Sequence, residues 1–95
     1  MQEMKNTSSI RLPDEVVNYL QALDYEIGGL QVLHTHALNA GVQAEKVEKI
    51  QQRFQEKFEE YQLAKQETFA TYGAEHRACK RWWVDFQEGV MHFAE

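Results

Sequence analysis

The sequence predicts a mainly α fold: an antiparallel two-helix hairpin followed by a C-terminal β-hairpin or a third helix, dimerising into a helical bundle. Three observations carry that expectation. Val16, Leu20, Leu23, Ile27 and Leu30 recur at threes and fours, with His34 and Ala37 continuing the run. Val47, Ile50, Phe54, Phe58 and Tyr61, then Phe69 and Tyr72, do the same. Between the two runs, Asn39-Ala40-Gly41 is a helix stop, because Asn or Gly can take the left-handed cap conformation.

Taken in order, residues 1–9 are polar, without periodicity, and are expected to form a mobile arm in a single domain spanning 1–95. Ile10-Arg11-Leu12 extends briefly. Pro13 fits the first helical turn, where a missing N–H costs nothing, and Asp14 and Glu15 follow where the helix dipole favours negative charge. The first helix is therefore expected over 13–39. Gly28-Gly29 lies inside its stripe and costs about 1 kcal/mol per glycine relative to alanine, so close approach of a neighbouring helix is the expected compensation. A short loop then returns the chain as a second helix over 44–72, about 40 Å long at about 1.5 Å per residue.

The aromatic tail, 81–94, fits two patterns. As strands, Trp82, Val84 and Phe86 share a face with Val90 and His92 across a Gln87-Glu88-Gly89 turn, with Gly89 at positive φ. As a helix, Cys79, Trp82, Phe86, Val90 and Phe93 also fall at threes and fours. Trp, Val and Phe crowded beside a glycine favour the β-hairpin.

Composition narrows function. The 95 residues carry a formal net charge of -5, which disfavours nucleic acid as a partner, since neutralising phosphates needs clustered Lys and Arg. The single cysteine, Cys79, fits a reducing compartment and makes the cytoplasm the expected location. No run of about 18 apolar residues is present to cross a membrane.

No catalytic constellation emerges. His34 and His36 lie two apart, pointing about 200° from one another on a helix, so they cannot chelate one ion; His34 is expected as a seam histidine. His76 and Cys79 share a helical face and His92 could join them, but one thiol falls short of the usual structural zinc set, so neither metal nor cofactor is expected. Carboxylates of the second helix interleave with Lys46, Lys49, Arg53, Lys57 and Lys65 as a solvated face. The protein is expected not to be an enzyme.

Charge distribution says more than its total. Between Arg11 and Lys46 there is no Lys or Arg, so the first helix is acidic in its charges. Conversely, Arg77, Lys80 and Arg81 abut Trp82 and Trp83, a mixture typical of interaction hot spots, and these five are expected to meet a protein partner. Leu20, Leu23, Ile27, Leu30, Phe54, Phe58 and Tyr61 are expected to hold the dimer core, on the premise that the stripes exceed what one subunit can bury.

Residues 9–20, Ser-Ile-Arg-Leu-Pro-Asp-Glu-Val-Val-Asn-Tyr-Leu, resemble the opening of ribbon-helix-helix DNA-binding proteins. The resemblance implies a regulator whose amino-terminal strand, with Arg11, enters the major groove of DNA. The chain departs from that pattern at Glu26-Ile27-Gly28-Gly29-Leu30, where a polar turn with a Ser or Thr cap is expected. Phe58, Tyr61, Ala64-Lys65 and Trp83-Val84-Asp85-Phe86 also resemble small accessory proteins encoded beside peptide-modifying enzymes, through letters common to many helical chains. The leading expectation is a small cytoplasmic adaptor, accessory or inhibitor protein, homodimeric and non-catalytic; the DNA-binding regulator is the alternative.

Overall fold

The computed structural model describes residues 7–94. Its elements run β1 (Thr7–Arg11), α1 (Asp14–Asn39), α2 (Ala44–Tyr72), a short 3-10 turn (Ala74–His76), β2 (Arg81–Asp85) and β3 (Val90–Ala94). The class is therefore mixed α/β rather than mainly α, and the tail is a β-hairpin, not a third helix. Residues 7–9, assigned from sequence to a mobile arm, are strand; those before them lie outside the described residues.

Local chemistry sets the boundaries. The Pro13 carbonyl accepts from the N–H groups of Val16 and Val17, so Pro13 caps α1 from just outside it. At the other end Gly41 takes φ 71°, Val42 N–H donates to the Ala37 carbonyl and Gly41 N–H to the Leu38 carbonyl. That pair of bonds is a Schellman cap, and it turns the chain into α2. Helix α2 stops at Gly73, where an added Cβ would come within 2.7 Å of the Phe69 ring.

The sheet is antiparallel with order β1-β3-β2, so the last strand is central. Ser8 faces Phe93 and Ile10 faces Met91 on one side; Trp82 faces Phe93 and Val84 faces Met91 on the other. The last β2–β3 pair is Asp85 with Val90, which leaves a four-residue loop from Phe86 to Gly89. Gly89 sits at φ 69°, its N–H donates to the Asp85 carbonyl, and Asp85 Oδ1 accepts from the N–H groups of Gln87 and Glu88. This register places Val90 and His92 on the face opposite Trp82 and Val84, correcting the expected sharing; Phe86 belongs to the loop and does not extend the strand.

Two compact units divide the chain. One takes the described residues through Tyr19 and from Gln66 onward. Its core is Leu12, Val17, Met91 and Phe93, the last two with no exposed surface, and Ile10, Val16, Phe69, Tyr72, Cys79, Trp82, Val84 and Phe86 pack around them. The other unit, Leu20–Lys65, is the helical hairpin. In it Leu20, Leu23, Ile27, Ala37 and Ala64 are buried, and Lys57 Nζ bridges Glu26 at 3.6 Å and Glu60 at 3.5 Å.

Helix α1 passes through Gly28-Gly29 without a break, and a Cβ on either glycine would meet nothing within 4 Å. The close helix contact expected there does not form among the described residues; both glycines are exposed.

Candidate functional site

A strand presents alternate residues to opposite faces. In β2 that rule separates the adjacent tryptophans. Trp82 turns inward, its ring stacked on Phe69 with centroids 5.1 Å apart, so this expected partner residue is half-buried and packs against the core. Trp83 turns outward and keeps 39 % of its surface exposed.

The outer face takes the alternate set: Arg81, Trp83 and Asp85 on β2, Val90, His92 and Ala94 on β3, and Ser9 and Arg11 on β1. Register places Trp83 beside His92 and His92 beside Ser9, one row across three strands. The His92 ring stacks on Trp83 at 5.3 Å between centroids, and the Arg81 guanidinium lies 5.0 Å from the centre of the same indole. Such stacking holds a large ring flat at low entropic cost, and the cation keeps its charge beside it. Arg77 and Lys80, exposed just before β2, complete a basic margin. None of Arg11, Arg77, Lys80 and Arg81 forms an ion pair with a described residue.

The possible zinc corner does not assemble. His76 stacks on Phe93 at 4.2 Å, on the inner side of β3, and Cys79 packs against the core, whereas His92 stands on the outer side. Among the described residues, no group of three or more His, Cys, Asp or Glu is placed to hold a metal ion.

The seven residues assigned to a dimer core divide. Leu20, Leu23 and Ile27 are already covered within the chain, so one subunit buries more of its seam than the sequence suggests. Leu30, Phe54 and Tyr61 are half-buried, and Phe58 is 39 % exposed with its ring stacked 6.0 Å from that of Phe54. His34 is half-buried and lines an open hollow with Gln31, Gln51 and Phe54. Burial, and behind it the Asp24 carboxylate, raises the Tyr61 phenol above its ordinary value.

What sequence reasoning missed is His92 as a member of the tryptophan site and Arg11 as an occupant of the same face. The alternation in β3 contained the first; the second depended on pairing β1 with a strand some eighty residues away, for which no local signal exists.

Compared with known proteins, the chain matches no family model, no curated protein and no solved structure. Likewise Glu26–Leu30, where a ribbon-helix-helix protein would turn, lies in the middle of α1. No helix among the described residues is long and apolar enough to cross a membrane.

Proposed function

We propose that this small α/β protein is a non-catalytic interaction module of the cytoplasm, an adaptor, accessory or inhibitor protein, that engages a protein partner through the outer face of its sheet. One observation carries the reading: Trp83, a large ring with a substantial exposed surface, is held by contacts to His92 and Arg81 on the face of the sheet turned away from the core. Tryptophan and arginine dominate binding energy at protein interfaces, and a ring already fixed loses little entropy on docking. Arg77, Lys80 and Arg81 supply charge around it.

The module acts as a homodimer in this reading. Support comes from the hairpin, where Phe58, Leu63, Val32, Leu33 and Leu38 are exposed and Leu30, Phe54 and Tyr61 are only half-covered. Further burial of that surface is the driving force a second chain supplies.

Affinity capture from the native host tests the partner site. A specific companion retained by the wild type and lost by Trp83→Ala, with an unchanged circular dichroism spectrum, is the expected result. Identical companions for both proteins would remove the site.

The alternative, a DNA-binding regulator, draws support from one feature: Arg11 stands on the same outer face as Arg81 and Trp83. It requires a salt-dependent shift of duplex DNA that Arg11→Ala abolishes. No binding at low salt would exclude it.

A further inference from the structure

We propose that the partner engages β2 by edge pairing: an extended, acidic segment of another protein adds to the sheet as a fourth strand along Arg81–Asp85. The inference rests on the interaction reading above and gives the partner a chemistry.

Topology supplies the first argument. The central strand β3 is paired on both sides, but β2 has β3 alone as its neighbour among the described residues. In an antiparallel ladder a strand's backbone groups point alternately to its two sides, so β2 keeps a row of N–H and C=O groups directed away from β3. Such a row is a template for another strand.

The second argument is that β2 lacks two of the usual guards, proline and a bulge within its paired residues, and carries only charge at its ends. Arg81-Trp82-Trp83-Val84-Asp85 contains no proline, and across these five residues its pairing with β3 runs residue for residue, with Lys80 N–H adding a bond to the Ala94 carbonyl that Arg81 already faces. Trp, Trp and Val favour extended backbone. The opposite edge, β1, is built from Thr7-Ser8-Ser9-Ile10-Arg11 and runs into Pro13 two residues later. It is the poorer template.

Charge supplies the third. Arg77, Lys80 and Arg81 crowd the beginning of β2, are exposed, and form no ion pair with a described residue. Carboxylates on an incoming strand would meet these cations, and at physiological salt the screening length of about 8 Å makes this local patch matter more than the net charge of the whole chain. On the outer side, the exposed edge of Trp83 receives an apolar or β-branched side chain of the added strand. Edge pairing forms a ladder of alternating main-chain donors and acceptors at the strand repeat, which a polypeptide matches and a nucleic acid backbone, which carries acceptors alone in its phosphates, does not. That favours a protein segment over single-stranded DNA, although both could stack on Trp83.

Selection from a random displayed library of peptides about 12 residues long, using the intact protein as bait, tests the proposal. Selected peptides are expected to be rich in Asp and Glu, with apolar or β-branched residues at alternate positions. Their affinity should fall about tenfold with Arg81→Glu, whose side chain is exposed and whose change leaves the core alone. Hydrogen exchange should slow at β2 amides on peptide binding. Peptides without acidic excess, slowing confined to the helices, or binding of oligothymidylate with no peptide selected would each overturn it. A companion lost in Trp83→Ala while β2 amides stay unprotected would refute edge pairing alone; unchanged capture by Trp83→Ala would refute the underlying site as well.

Discussion

The sheet unit and the helical hairpin invest their apolar residues differently. In the sheet unit, Met91 and Phe93 have no exposed surface, and Leu12 and Val17 are nearly as deeply buried. In the hairpin, Tyr25, Val32, Leu33, Leu38, Phe58 and Leu63 are all exposed. Geometry explains the contrast. A strand presents half its residues to one face, so β3, flanked on both sides, buries its alternate positions under the helix ends; a helix has a wider circumference than one antiparallel neighbour can cover. The hairpin buries Leu20 and Leu23 as deeply but leaves more large apolar side chains exposed than the sheet unit does.

The sharpest way to break this contrast is to truncate one phenylalanine in each unit. Phe93→Ala should cost about 3–5 kcal/mol, because the ring is fully enclosed and the cavity has no solvent to fill it. Phe58→Ala should cost less than about 1 kcal/mol in the isolated chain. Urea unfolding of both variants at low protein concentration provides the comparison. Equal losses would mean that the hairpin is as tightly organised as the sheet.

Glycines offer a second comparison of opposite sign. Gly89 holds φ 69° in the β2–β3 loop, so Gly89→Ala should destabilise by about 1–2 kcal/mol. Gly29 lies in a helix with open space around its missing Cβ, so Gly29→Ala should stabilise by about 0.5–1 kcal/mol. Thermal unfolding midpoints should move in opposite directions. A loss at position 29 would show that another chain occupies the space beside it.

The smallest effect is electrostatic. Tyr61 has a raised phenol pKa, chiefly from burial and then from Asp24, so the folded state holds this proton more tightly than the unfolded chain. The unfolded state consequently binds fewer protons above the ordinary value of 10.0, and stability falls as pH rises through that region toward the folded value. The contribution is fully present below pH 10.0, and Tyr61→Phe should flatten the alkaline decline in urea unfolding measured on either side of it. An unchanged decline would assign it to other groups.

Much of this architecture was legible in the chain. The threes and fours from Val16 to Ala37 and from Val47 to Tyr72 specify two helices, and Asn39-Ala40-Gly41 supplies the Schellman turn between them. Gly89 marked the hairpin loop, since few residues other than glycine accept its positive φ. The hairpin register was not legible, because a three- and a four-residue loop fit the same letters and a one-residue change reverses every side chain. For β1 only the extended Ile10-Arg11 was legible; its start at Thr7 and its pairing with β3, at the far end of the chain, were not. Of the site, Arg77, Lys80, Arg81 and Trp83 stood out as a local cluster, but the inward turn of Trp82 and the arrival of His92 depend on that register. Gly28-Gly29 misled: helix propensity signals that such a pair needs compensation without saying whether the compensation lies inside the chain.

The claim on which the site depends is that adjacent tryptophans occupy opposite faces of the sheet. Iodide quenching of the two single-tryptophan variants measures it directly. With Trp82→Phe, the remaining Trp83 should be quenched strongly, being exposed and beside the cationic Arg81; with Trp83→Phe, the remaining Trp82, stacked on Phe69, should be shielded. Equal quenching, or the reverse order, would contradict the register and remove the outward ring on which the proposed partner surface rests.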